Sequence, residues 1–174
     1  MCAKSSLIVF TTAIFVFAMA AVSLASAAPP EDSCKLLTQA QMTAALGVPM
    51  GAGSHVPPPF LKTCTWSPVG GAGQNVKFVT FSYQPADSFA DTKRLAQQTE
   101  AAMKTQGDKD AAPMANASAS GIGDDAFYTT MGGYTGLLVK KGNTAFKVAI
   151  YATLPEEKIK AMEKTLALDA LSKL

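Results

Sequence analysis

Two cysteines constrain this chain more than any other feature. The sequence holds three: Cys2 stands ahead of a long apolar run, and Cys34 and Cys64 lie beyond it. That run, LIVFTTAIFVFAMAAVSL from Leu7 to Leu24, follows a lone positive charge at Lys4 and precedes Ala25 and Ala27 in an A-x-A arrangement. A positive start, an apolar middle and a small-residue exit describe a secretory signal peptide, residues 1–27. The run also has the length of a bilayer span, but the alanines stand where a peptidase cuts. The reading is therefore a cleaved signal that meets the membrane only transiently, and a periplasmic or secreted product. Cys34 follows Glu31-Asp32-Ser33 rather than small residues, which argues against lipidation. In an oxidising compartment Cys34 and Cys64 have only each other, so a disulfide is expected, ahead of two free thiols or a metal pair. It closes a loop of about thirty residues, for which chain entropy gives about 3.5 kcal/mol.

Removing the signal leaves residues 28–174, and 174 − 27 = 147 residues make one domain with room for a core. The formal charge of +2 loses only Lys4 and falls to +1. A chain so close to neutral, without a basic cluster, carries no footprint for nucleic acid.

The segment CKLLTQAQMTAALG (34–47) reads as a short helix. Thr38 and Gln41 form a capping box, Leu37 and Met42 staple it, Gly47 ends it and Pro49 prevents continuation. GVPMGAGSHVPPPF (47–60) is a Gly/Pro loop. KTCTWS (62–67) reads as a strand with Cys64 and Trp66 on one face, and VKFVTFSYQ (76–84) as a second strand paired with it. In the latter, Val79, Phe81 and Tyr83 share one face, with Val76 and Phe78 on the other. Residues 86–107 repeat Phe89, Thr92, Ala96, Thr99 and Met103 at helical spacing, with Leu95 and Ala102 widening the stripe and Asp87 or Ser88 as the cap. Residues 108–120 are a small polar connection, within which Asn116-Ala117-Ser118 matches a glycosylation sequon. YTGLLVKK and TAFKVAIYA flank Gly142-Asn143, a pair that favours a primed hairpin turn. Phe146, Val148 and Ile150 alternate with Lys147, as in a sheet with one covered face. The last helix begins near Thr153 and Glu156, a second capping box around Pro155, and buries Ile159, Met162 and Leu166. Helices do not alternate with single strands. The expected fold is α+β: an antiparallel sheet of about five strands with three helices against it and one disulfide.

Several chemistries are poorly supplied. A Ser–His–Asp device would need His55, the one histidine, which sits in a proline-rich loop and reads as solvent-facing. A zinc site needs three or four ligands, and one histidine with two oxidised cysteines does not reach that number without carboxylates. Asp108-Lys109-Asp110 lacks the glycine and distal glutamate of a calcium loop, and no P-loop is present. No metal, cofactor or catalytic constellation is therefore assigned. Trp66, Phe81, Tyr83, Tyr134 and Phe146 are candidates to line a ligand cavity, although Trp66 reads first as a core residue packed beside the disulfide. SGIGDDAFY (120–128) offers Asp124 and Asp125 as a polar site. Neighbours at a strand start point to opposite faces, which is wrong for a shared proton or metal. A glycine turn, with an aspartate bonded to its own backbone, accounts for the stretch.

Cysteine followed by LLT, a short helix ending in ALG, then CTW and GIGDDA before a hairpin resembles a group of small exported bacterial proteins and lipoproteins. These are classed as a domain of unknown function, with many actinobacterial members. The likeness spans Cys34 to about Ile150. It implies an exported α+β domain with a Cys34–Cys64 bridge and carries no catalytic residues. This chain departs from many members in lacking a lipidated cysteine. The functional expectation is an exported, non-catalytic binding or accessory domain whose partner is a protein or a cell-envelope component. A carrier of a small apolar ligand, with a cavity between sheet and helices, is the alternative. A hydrolase inhibitor inserting the 54–60 loop is another.

Overall fold

The first helix starts where its sequence says it should. In the computed structural model, which describes residues 32–55, 62–71, 75–105, 119–131 and 134–174, the Thr38 side chain accepts from the Gln41 N–H and the Gln41 side chain accepts from the Thr38 N–H. This capping box opens α1 (Gln39–Leu46), and Gly47 closes it at φ 69°. Ahead of it, Asp32 caps a 3-10 turn at Ser33–Lys35. Residues 1–27, read as a signal, the prolines at 57–59, Gly107, expected to end the 86–107 helix, and the sequon at Asn116 lie outside the described residues.

Strands β1 (Thr63–Trp66), β2 (Val76–Pro85), β3 (Asp125–Met131), β4 (Tyr134–Lys141) and β5 (Thr144–Ala152) form one antiparallel sheet in the order β1-β2-β5-β4-β3. Helix α2 (Ala86–Thr105) follows β2 directly, and α3 (Glu156–Leu171) follows β5. Among the described residues, five antiparallel strands and three helices make the α+β fold expected, and Cys34 is bonded to Cys64 with their α-carbons 5.0 Å apart.

Strand alternation divides the sheet into two faces. Cys64 and Trp66, Val79 and Phe81, Phe146, Val148 and Ile150, Leu137 and Val139, and Ala126 share one face through direct register pairs. All are buried, and α1 and α3 complete this core. On the other face α2 sets Phe89 against Phe127, Leu138 and Ala145. Burying a side chain the size of Phe81 contributes about 2–3 kcal/mol. A partly exposed ion pair contributes roughly 0–1 kcal/mol. Apolar alternation, not charge, therefore decides which face is which.

Four local expectations are corrected. Val76 faces the first core with Val79 rather than lying opposite it. The register shifts between Val76 and Phe78, and this bulge turns Val76 inward. Thr153 and Glu156 form no capping box, since α3 begins after Pro155 with no side-chain cap. Proline drives the residue before it out of the helical region, so Leu154 cannot be a first helical residue, and the Thr153 N–H bonds to the Asn75 carbonyl instead. Leu95 is 64% exposed and Ala102 is exposed, because only the Phe89 and Ala96 side of α2 is buried. Asp87 and Ser88 lie inside the first turn of α2, which starts at Ala86.

Candidate functional site

The residues singled out by sequence are dispersed. Trp66, Phe81 and Phe146 are each at most 1% exposed, and Phe81 stacks on Phe146 at 5.1 Å. Tyr83 meets Phe81 edge-on at 5.3 Å, and its hydroxyl is buried without a partner among the described residues. Burial raises the Tyr83 phenol well above its ordinary range. Tyr134 sits on the opposite face of the sheet, 43% exposed. These five do not enclose a common space. An open groove of about 380 Å³ lies elsewhere, between the end of α1, the start of β2 and the first turns of α3; Leu46, Val48, Leu154 and Met162 line it, with Asn75 and Lys158 as polar members.

The SGIGDDAFY stretch is a turn built around Ile122, which is buried between Gly121 (φ 77°) and Gly123 (φ 61°). A Cβ on Gly123 would come within 2.5 Å of the Lys140 carbonyl oxygen, so the turn packs directly on β4. The two aspartates diverge as strand alternation requires. Asp124 accepts from the Gly142 N–H at 2.7 Å and pairs with Lys141 at 3.1 Å, which ties the turn to the β4–β5 hairpin. The Gly142 N–H, and then Lys141, hold its carboxyl below the usual range. Its partner is thus on the adjacent β4–β5 hairpin, not its own backbone. Asp125 accepts two hydrogen bonds from Lys93 of α2, at 2.9 and 2.7 Å. The Lys93 ammonium also lies about 6 Å from the Phe89 and Phe127 ring centroids. Each aspartate is committed to joining two elements.

Three groupings escaped sequence reasoning. His55 is half-buried rather than solvent-facing. Its Nδ1 donates to the Thr63 carbonyl at 2.9 Å, its Nε2 meets Asp32 Oδ1 at 3.1 Å, and its Nδ1 stands 3.8 Å from Cys34 Sγ. Asp32 also accepts from the Cys34 N–H at 2.9 Å. The disulfide creates this cluster by bringing the 3-10 turn against β1. Its only sequence trace is the Asp32-Ser33-Cys34 run.

Glu163 is fully buried on the core face of α3, where one oxygen accepts from the Ile150 N–H at 3.1 Å and the other has no partner among the described residues. Burial pushes its carboxyl up to about 8, against the lowering effect of the Ile150 N–H and of the positive Lys147 and Lys160. Its signal was positional: Glu163 falls between Ile159 and Leu166 on the apolar stripe.

The third grouping is a row of rings at one end of the second sheet face. Phe78 stacks on Tyr151 at 4.1 Å, and Tyr151 meets Tyr134 at 4.9 Å. Phe78 and Tyr151 are half-buried, and Tyr134 is more open. Cross-strand register makes the row, because Phe78 pairs with Tyr151 on adjacent strands.

No family model, curated protein or solved structure matches the chain. No helix among the described residues is long and apolar enough to cross a membrane.

Proposed function

We propose that this is an exported, non-catalytic binding domain that docks on a protein or cell-envelope partner through the Phe78–Tyr151–Tyr134 row. The observation that carries the reading is the row itself: three contiguous rings, two with polar tips, left partly exposed on a rigid sheet. Tyrosine anchors of this kind dominate the energetics of protein interfaces. The committed roles of Asp124, Asp125 and His55 favour binding over catalysis, since each is held by a neighbouring element. The signal-like residues 1–27, the motif resemblance and the disulfide support export, because such bridges persist in oxidising compartments. The test is affinity capture from the producing cell's envelope, run in parallel with the wild type and with Tyr134→Ala/Tyr151→Ala. Proteins retained by the wild type and lost by a folded double variant support the reading, and identical retention by both chains overturns it.

The groove beside α3 favours a second reading, the carriage of a small apolar ligand, since its volume of about 380 Å³ falls in the range of ligand sites. A thermal-shift screen against lipids and aromatic metabolites decides it. Stabilisation by a ligand that Met162→Trp abolishes supports carriage, and no stabilisation by any compound removes it.

A further inference from the structure

The geometry points to a metal site latent in the staple: once the Cys34–Cys64 bond is reduced, Cys34 Sγ, Cys64 Sγ and His55 Nδ1 bind one zinc ion, and Asp32 holds the far side of the imidazole. Asp32, Cys34 and His55 offer ligand atoms within 4.8 Å of one another. A tetrahedral zinc, with Zn–S about 2.3 Å and Zn–N about 2.0 Å, sets sulfur and nitrogen about 3.6 Å apart and two sulfurs about 3.8 Å apart. Cys34 Sγ and His55 Nδ1 already stand at 3.8 Å. The cysteine α-carbons are 5.0 Å apart, so both sulfurs reach a common ion by side-chain rotation.

The Nε2 side of the histidine is held as in a metal ligand, and Nδ1 turns from the Thr63 carbonyl toward the sulfurs to bind. Metal-binding imidazoles donate their second ring N–H to a carboxylate or carbonyl, which fixes the ring plane and makes the ligating nitrogen more basic. Here Nε2 faces Asp32 at 3.1 Å, and Asp32 is itself anchored by the Cys34 N–H. Sequence counting finds too few zinc ligands in one histidine and two oxidised cysteines. Reduction returns two thiolates to that count, and Asp32 supplies the orienting carboxylate. Three protein ligands leave a fourth position for water, the arrangement of an open zinc site.

The chemistry balances with a trialkylphosphine as reductant. The phosphine and one water convert the disulfide to two thiols and the phosphine to its oxide. Zinc then displaces both thiol protons and takes the Nδ1 lone pair, the imidazole's one proton sits on Nε2 and donates to Asp32, and the Thr63 carbonyl loses its donor. Disulfide and metal use the same sulfurs, so the chain holds one staple or the other.

The test uses the full chain carrying Cys2→Ser, reduced by a phosphine and titrated with Co²⁺ as a spectroscopic substitute for Zn²⁺. One equivalent is expected to produce thiolate-to-cobalt charge-transfer absorption and the intense visible bands of a tetrahedral site, both erased by Zn²⁺. The oxidised chain should produce neither. His55→Ala is expected to weaken binding at least about tenfold, and Asp32→Asn by roughly tenfold to a hundredfold. A reduced, folded chain without the charge-transfer band overturns the proposal, and so does a His55→Ala titration that superimposes on the parent. If reduction unfolds the chain, Zn²⁺ should restore its circular dichroism; failure to refold overturns the proposal equally.

Discussion

Replacing Glu163 with glutamine isolates one buried ionisation and gives the domain a stability profile that can be worked out in advance. The Glu163 carboxyl is held up to about 8 in the folded chain, against an ordinary value of 4.5. The folded state therefore binds this proton more tightly than the unfolded state does. The sign follows: the wild type is most stable below about pH 4.5, loses stability as pH rises, and levels off above about 8. Each pH unit inside that window is worth about 1.4 kcal/mol, so the loss reaches on the order of 3 kcal/mol by pH 7 and roughly 5 kcal/mol at the plateau. Glutamine cannot ionise, yet it keeps an oxygen to accept from the Ile150 N–H. It also places an amide where one carboxyl oxygen has no partner among the described residues, which lowers stability by about 1–3 kcal/mol at all pH values. Lys147, Lys160 and Tyr128, the charged and titratable groups around Glu163, are common to both chains and largely cancel. The assay is urea unfolding of both chains, disulfide intact, at half-unit steps from pH 4.5 to 8.5. The variant should be the weaker at pH 4.5, and the curves should converge or cross as pH rises. A difference between the two chains that stays constant with pH would refute the assignment of a raised, buried carboxyl.

Gly123→Ala should destabilise the domain by about 2 kcal/mol or more, because a left-handed φ and a backbone clash with Lys140 coincide there. Gly121→Ala, at φ 77° with open space around it, should lose only about 1 kcal/mol. Thermal unfolding of the pair checks whether close approach, rather than dihedral strain alone, fixes the turn; equal losses would say that it does not. Tyr83→Phe should leave stability unchanged or raise it by up to about 1 kcal/mol, since it deletes a buried hydroxyl with no partner among the described residues. A clear loss in urea unfolding would mean that the hydroxyl is satisfied.

Local chemistry was legible. The Thr38–Gln41 box, the Gly47 stop and the Gly142 turn involve residues a few positions apart, whose preferences survive in any surroundings. Strand alternation was legible too, and with it the divergence of Asp124 and Asp125. The Val76 bulge was not, because register is a property of two strands and Val76 pairs with Ala152. The width of the α2 stripe depended on how much sheet lies opposite, which the helix sequence does not contain, and Leu95 went to solvent accordingly. The missing Thr153 cap was readable from Pro155, whose effect on the preceding residue outweighs a capping motif. The candidate sites were least legible. Asp32 and His55 meet through a disulfide, and the ring row assembles from β2, β4 and β5.

The sheet order has a kinetic consequence. Pairs from Val76↔Ala152 to Pro85↔Thr144 join β2 to β5 across the longest separations in the sheet. The β1–β2 hairpin and the β3–β4–β5 meander can each form from near neighbours, but the Phe81–Phe146 stack exists only when they meet. Pairing across such separations slows folding, so the β2–β5 seam is expected to close after the hairpin and the meander. The Cys34–Cys64 bond lies wholly on the β1–β2 side of the seam. Its loop entropy stabilises one half of the sheet and leaves the search for the seam as long as before.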